Sequence, residues 1–291
     1  MSMLHRQPWT HKFATWLQSS GFDAKSMNWV RAGGTSELLA IGHLQNIERP
    51  IVLFLHGLGN DALFPNVHLF QHLLESGYNI VTTDLDGHGK TCTSLFGRVS
   101  IKNLVTDMID QIDQLTVGRP RLHLCGYSIG AALLLDYAVH NPERIQSLSM
   151  IGLPLNLNAG YLLAAEVISP LRPSYMQALR DYGFLGIHPS LGPILRSRYP
   201  VRVAPDESGS YLYVAARIIE NINPLAKLQL VTFPSLLVAG SLDFFANHRK
   251  IDEFIASLNL QTFSLTGETH FTSMLSHKLA RRIEVLLRTS P

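Results

Sequence analysis

Cysteine is nearly absent from this chain, with Cys92 and Cys125 the two thiols in 291 residues. Two cysteines at that spacing exclude a disulfide framework as the source of stability. Charge is also sparse. Charged residues make up 16% of the chain, and 24 Lys and Arg stand against 22 Asp and Glu for a net charge of +2. That near-balance gives no reason to expect nucleic acid, which asks for a clustered basic surface. No apolar run approaches the ~20 residues of a membrane span, so no integral membrane segment is expected. Met1 to Thr10 carries His5 and Arg6 with no apolar stretch behind them, so no cleaved signal peptide is expected. Internal repeats, low-complexity tracts and long charge runs are all missing. With 46% apolar residues the chain can bury a large core, and its length fits one or two domains. The expectation is a soluble, cytoplasmic globular protein.

What is present is an alternation of short apolar runs with helical patterns, which predicts an α/β fold around a mostly parallel sheet. Strands are expected over 26–31, 37–43, 51–55, 79–83, 121–125, 146–151, 235–239 and 262–265. The first two flank Gly33 and Gly34 as a candidate hairpin. Ile51 to Leu55 is continuously apolar, as a strand buried on both faces requires. Helices are expected over 64–76, 129–140, 247–258 and 271–288. Another follows Ser100, where Ile101, Leu104, Val105, Met108, Ile109, Ile112 and Leu115 recur at three-four spacing. The rhythm breaks between Pro154 and Phe233, a stretch with eight of the 15 prolines and no clear strand. Short helices over 162–168, 174–181 and 211–219 make it a helical insertion. The core then comprises residues 1–153 and 234–291.

The sharpest motif is Gly126-Tyr127-Ser128-Ile129-Gly130, a G-x-S-x-G pattern between a strand-like and a helix-like segment. Glycines on both sides let a serine sit on a tight strand-to-helix turn with its hydroxyl projecting from the sheet edge. The helix N-terminus behind it favours developing negative charge. Such a serine needs a base, and the base an orienting acid. Composition cannot choose among 13 histidines, but position can. Asp243 and His270 each lie just past a predicted strand, and residues past the carboxyl ends of parallel strands gather at one edge. Glu268 is the rival acid, but it stands two residues from His270 and reaches poorly around the ring.

These residues, with His56-Gly57-Leu58-Gly59, Asp84-Leu85-Asp86-Gly87-His88-Gly89, Gly240-Ser241-Leu242-Asp243 and Gly267-Glu268-Thr269-His270, resemble the α/β-hydrolase superfamily. The likeness is to its capped serine esterases and lipases of monoacylglycerol-lipase type, and it extends from about Trp29 to the end. It implies Ser128 as nucleophile, His270 as base, Asp243 as orienting acid and an oxyanion hole from the backbone N–H groups of Leu58 and Ile129. It also implies that residues 154–233 form a lid between strands six and seven. No cofactor and no metal are implied. Asp86, Thr91, Ala131 and Thr269 depart from the family's commonest residues, which bears on subfamily rather than on the catalytic groups.

Other patterns are weaker. Gly57-x-Gly59-x-x-Ala62 with Asp84 imitates a dinucleotide-binding fingerprint, yet two strands precede it and it leaves Ser128, Asp243 and His270 unexplained. Gly89-Lys90-Thr91 lacks the first glycine of a P-loop. His68 and His72 lack the glutamate of a zinc helix. The insertion is rich in Leu, Ile, Val and Tyr, as a pocket for an acyl chain or another apolar group would be. The expected function is hydrolysis of a carboxylic ester of a moderately apolar small molecule or acyl lipid. A thioesterase, a carbon–carbon bond hydrolase, a small-molecule receptor of the same fold and an NAD-dependent oxidoreductase are the alternatives.

Overall fold

The computed structural model of the chain describes residues 27–30, 37–43, 49–57, 60–63, 65–85, 101–116, 121–155, 219, 221–243, 245–246, 258, 260–270 and 272–290, with Thr15 and Ser19. Most of the expected insertion (156–218) and all but the last residue of the expected helix over 247–258 lie outside the described residues.

Among the described residues, eight strands form one sheet: β1 (Met27–Val30), β2 (Leu38–Ile41), β3 (Ile51–Leu55), β4 (Asn79–Thr82), β5 (Leu122–Tyr127), β6 (Ile145–Ile151), β7 (Ser235–Gly240) and β8 (Gln261–Leu265). Their spatial order is β1-β2-β4-β3-β5-β6-β7-β8. Only β2 runs against the rest. It pairs antiparallel with β1, from Met27 against Ile41 to Val30 against Leu38, and antiparallel with β4. The pairs from β4 through β3, β5, β6 and β7 to β8 are all parallel. The anticipated hairpin strands therefore do pair, and the sheet is mostly parallel as the alternation implied.

Parallel strands need crossovers, and helices supply them on both faces. The α-helices bounded among the described residues are α1 (Val67–Glu75), α2 (Ile101–Leu115), α3 (Ile129–His140), α4 (Pro224–Leu228) and α5 (His277–Thr289). Every residue of β3 is buried. Leu53 and Leu55 join the core shared with α2, α3 and α4, and Val52 and Phe54 that of α1 and α5. The period-two alternation of a strand thus divides one apolar run between two cores. On α2, Leu104, Val105, Met108, Ile109 and Ile112 are buried, the stripe its spacing predicts. On α1, Phe70 meets Phe54 edge to face at 5.1 Å. His72 Nε2 meets Glu284 Oε2 of α5 at 2.7 Å, and the His68 ring lies 5.6 Å from that of His277. The two histidines of α1 therefore join it to α5.

Two expectations about helices are corrected. The segment expected as one helix over 271–288 divides into a 3-10 turn (Thr272–Leu275) and α5. Ser276 is extended at φ −81°, ψ 123° and opens the second element. An extended residue at an N-cap cannot continue the preceding helix. The short α4 was not anticipated. Asn223 at φ 50° accepts from the Ala226 N–H, and Pro224 follows at the first position, where its missing donor is harmless. Lys227 then reaches Asp136 of α3 at 2.7 Å.

Cys125 and His123 are two of the titratable groups buried in β5. Cys125 is fully buried on β5, and burial pushes its thiol far up. His123, two residues earlier on β5, hydrogen-bonds through Nδ1 to Ser147 Oγ at 2.8 Å and meets the Tyr78 ring edge to face. Burial, with a smaller contribution from the Arg121 charge, pulls its pKa from 6.5 down to about 4. The unfolded chain therefore binds this proton more readily than the folded one. The stability tied to a neutral His123 is complete above pH 6.5 and falls as pH drops towards 4. Urea unfolding across that interval should show a falling midpoint in the wild type. His123→Gln, which never charges, should show a shallower fall; parallel curves would reject the assignment.

Candidate active site

β5 ends at Tyr127 and α3 begins at Ile129, so the turn between them is Ser128 alone. Ser128 adopts φ 55°, ψ −120°. For a residue with a side chain this is strained backbone, held only because its surroundings fix it. The two flanking glycines show what fixes it. A Cβ on Gly126 would lie 2.5 Å from Ala131 Cα, and one on Gly130 would lie 2.3 Å from the Leu55 carbonyl oxygen. Strand, turn and helix are therefore packed closer than any side chain at 126 or 130 would permit. The Ser128 N–H donates to the Ile151 carbonyl at 2.8 Å, pinning the turn to the neighbouring strand.

Asp243 and His270 come from the loops after β7 and β8, and these loops are laced together. The Ser241 N–H donates to the Leu265 carbonyl at 2.9 Å and the Leu242 N–H to the Glu268 carbonyl at 3.0 Å. The Gly267 N–H donates to Ser241 Oγ at 2.8 Å. Gly240 allows the contact, since a Cβ there would lie 2.0 Å from the Glu268 oxygen. Thr269 accepts the Thr272 N–H on its hydroxyl, and its own N–H donates to Thr272 Oγ1. This hydroxyl exchange anchors the 3-10 turn behind His270 and gives the unusual threonine a structural role.

The three side chains meet in one line. His270 Nε2 lies 3.0 Å from Ser128 Oγ, and His270 Nδ1 lies 2.8 Å from Asp243 Oδ2. The other carboxylate oxygen, Oδ1, accepts the N–H groups of Phe245 and Ala246 at 3.0 and 3.2 Å. A carboxylate only accepts, so Nδ1 carries the proton and Nε2 is left to accept from the serine hydroxyl. Asp243 and His270 are buried and Ser128 is partly open. The carboxylate at Nδ1 is that of Asp243, whereas Glu268 contributes its backbone carbonyl to the lacing.

Of the two expected oxyanion donors, Ile129 is the first residue of α3, where the backbone N–H has no partner within the helix. Leu58 lies outside the described residues. The loop before it is anchored by His56. The Leu85 N–H donates to His56 Nε2 at 2.9 Å, and His56 Nδ1–H donates to the Gly57 carbonyl at 2.7 Å. Asp84 accepts the Ala62 N–H at 2.7 Å. The aspartate that imitated a ribose-binding acid thus holds the loop after β3.

Gly152 was missed from the sequence. It has φ +57°, and a Cβ there would stand 2.9 Å from His270 Cε1 and 3.3 Å from Asp243 Oδ2. Its one signal is a glycine directly after an apolar strand, which is too common to single out.

The family model for the alpha/beta hydrolase fold matches residues 50–186. The chain has the α/β-hydrolase fold. A hydrolase of known structure from Pseudomonas aeruginosa superposes with a TM-score of 0.68 at 19% identity, over 91% of this chain and 98% of that one. Among curated proteins, the 3-oxoadipate enol-lactonase 1 of Acinetobacter baylyi is 23% identical over 196 residues, 67% of this chain and 71% of that protein. The dihydrolipoyllysine-residue acetyltransferase component of the acetoin cleaving system of Pseudomonas putida is 34% identical over 139 residues, 45% of this chain. The match spans 36% of that protein's length.

The lacing can be tested directly in this α/β-hydrolase-fold chain. Gly240→Ala should lower stability by about 1–3 kcal/mol, the usual penalty of overpacking. Gly77→Ala meets open space and carries only the strain of its φ of +92°, so it should lose less. Equilibrium urea unfolding of both variants gives the comparison, and equal losses would argue against a tight Gly240 contact.

Proposed function

We propose that the protein is a serine hydrolase that cleaves a carboxylic ester of a moderately apolar small molecule or acyl lipid. The observation that carries the reading is the continuous hydrogen-bonded line from Ser128 through His270 to Asp243. Ser128 Oγ attacks the carbonyl carbon as its proton passes to His270 Nε2. Asp243 stabilises the imidazolium through Nδ1. The tetrahedral oxyanion is held by the N–H groups of Ile129 and, on the family pattern, Leu58. Collapse expels the alcohol, which takes the proton from Nε2, and leaves an acyl group on Ser128. Water deprotonated by Nε2 then attacks that acyl group and releases the acid.

The choice of an ester over a thioester or a carbon–carbon bond is supported by the enol-lactonase relative, whose named substrate class is a cyclic ester. Residues 154–233 are proposed as the lid over Ser128, with an apolar composition suited to an acyl chain. No helix among the described residues is long and apolar enough to cross a membrane. The chemistry proposed requires no cofactor.

A fluorophosphonate probe should label the wild type and fail to label Ser128→Ala. On p-nitrophenyl butyrate and p-nitrophenyl octanoate, Ser128→Ala and His270→Ala should each lose about 10⁴-fold or more in kcat with an unchanged far-ultraviolet circular dichroism spectrum. Equal labelling of wild type and Ser128→Ala, or substantial turnover in both variants, would overturn the proposal.

A further inference from the structure

The residue directly before Ser128 touches more of the site than its place in the motif requires. Tyr127 is the last residue of β5 and is buried. Its side chain leaves the sheet on the face of α1 and α5, the face that also holds Cys125. Three contacts radiate from it. The hydroxyl donates to the backbone carbonyl of His270 at 3.1 Å. The ring lies 5.1 Å from the imidazole, tilted by 35°. The same ring fills the space in front of Gly57, where a Cβ would come within 2.7 Å of Cδ1 and 2.8 Å of Cε1. On another side of the imidazole, the Phe245 ring stands at 5.1 Å and 64°.

We infer that Tyr127 is a positioning residue, a wedge that sets His270 against Ser128 and braces the loop after β3 at Gly57. The inference rests on the serine-hydrolase reading above.

The need for such a device follows from where the base is carried. β5 lies inside the sheet, hydrogen-bonded to β3 and β6. Among the described residues β8 is an edge strand, paired with β7 alone, and four of its five residues are exposed or partly exposed. The loop that bears His270 therefore starts from a less secured strand than the turn that bears Ser128. Edge elements are the ones that open first. The Tyr127 hydroxyl ties that loop back to the residue adjacent to Ser128, so the separation of Ser128 and His270 is set across one peptide unit of β5. The bond uses the His270 carbonyl and leaves both ring nitrogens free for Asp243 and Ser128. Burial, reinforced by the negative charge of Asp243, holds the phenol well above its ordinary pKa. It is therefore a permanent donor.

Tyr127→Phe removes the hydroxyl and keeps the ring. On p-nitrophenyl butyrate, kcat per folded molecule should fall about 10- to 100-fold, the scale of a small misplacement of reacting groups. KM should stay within about twofold, because the lost contact serves the reaction rather than binding. The folded fraction comes from the unfolding curve of the same sample. Tyr127→Leu, which also removes the ring, should lose more. Proton nuclear magnetic resonance supplies a readout that needs no turnover. The downfield Nδ1 proton between His270 and Asp243 should exchange with water faster in Tyr127→Phe than in the wild type. An unchanged kcat, a change confined to KM, or an unchanged exchange rate would overturn the inference. If wild-type turnover survives Ser128→Ala, the hydrolase reading fails by itself, and the exchange rate still decides whether Tyr127 positions His270.

Discussion

The left-handed backbone of Ser128 is the constraint on which the site depends. A residue with a Cβ at these angles is strained by about 1–3 kcal/mol, and the turn is held by α3 pressed against β3 and β5. The helix is buried from Ile129 through Leu135 and again at Ala138, so its packing offsets the strain many times over. Glycines at 126 and 130 are the condition for that pressing, since either Cβ would strike main-chain atoms rather than yielding side chains. The serine hydroxyl is thereby fixed at the carboxyl edge of the sheet before any ligand arrives.

The other two members of the line are held differently. Asp243 and His270 stand on loops that bond to each other through Ser241, Leu242, Gly267 and Glu268. Asp243 Oδ1 is further pinned by two backbone N–H groups. Preorganised donors and acceptors of this kind lower the reorganisation a reaction must undergo. Gly152 leaves room for the imidazole, and Tyr127 and Phe245 flank it.

The parts of this arrangement that were legible in the sequence are local in the chain. The run Ile51–Leu55, the three-four stripe of α2 and the glycine-flanked Ser128 each state their structure within a few residues. Asp243 and His270 were found because the rule about parallel strand ends converts sequence position into a shared edge. What escaped depends on contacts between distant residues. Gly152 and Tyr127 matter because of where His270 lies, 118 and 143 positions away. The division of the last helix at Ser276 is set by one extended residue amid a continuous helical pattern. The short α4 is too brief for periodicity to register. The proposed lid and the Leu58 amide remain expectations from family resemblance and composition.

Cys125 gives β5 a property unconnected with chemistry at the edge. Its thiol is three residues from Ser128, fully enclosed, and pushed by burial far from the thiolate form that reacts. Alkylation at that sulfur therefore requires the packing between β5 and the layer of α1 and α5 to open. The rate at which a thiol reagent modifies Cys125 is a clock for that opening, written into the same strand that presents the serine.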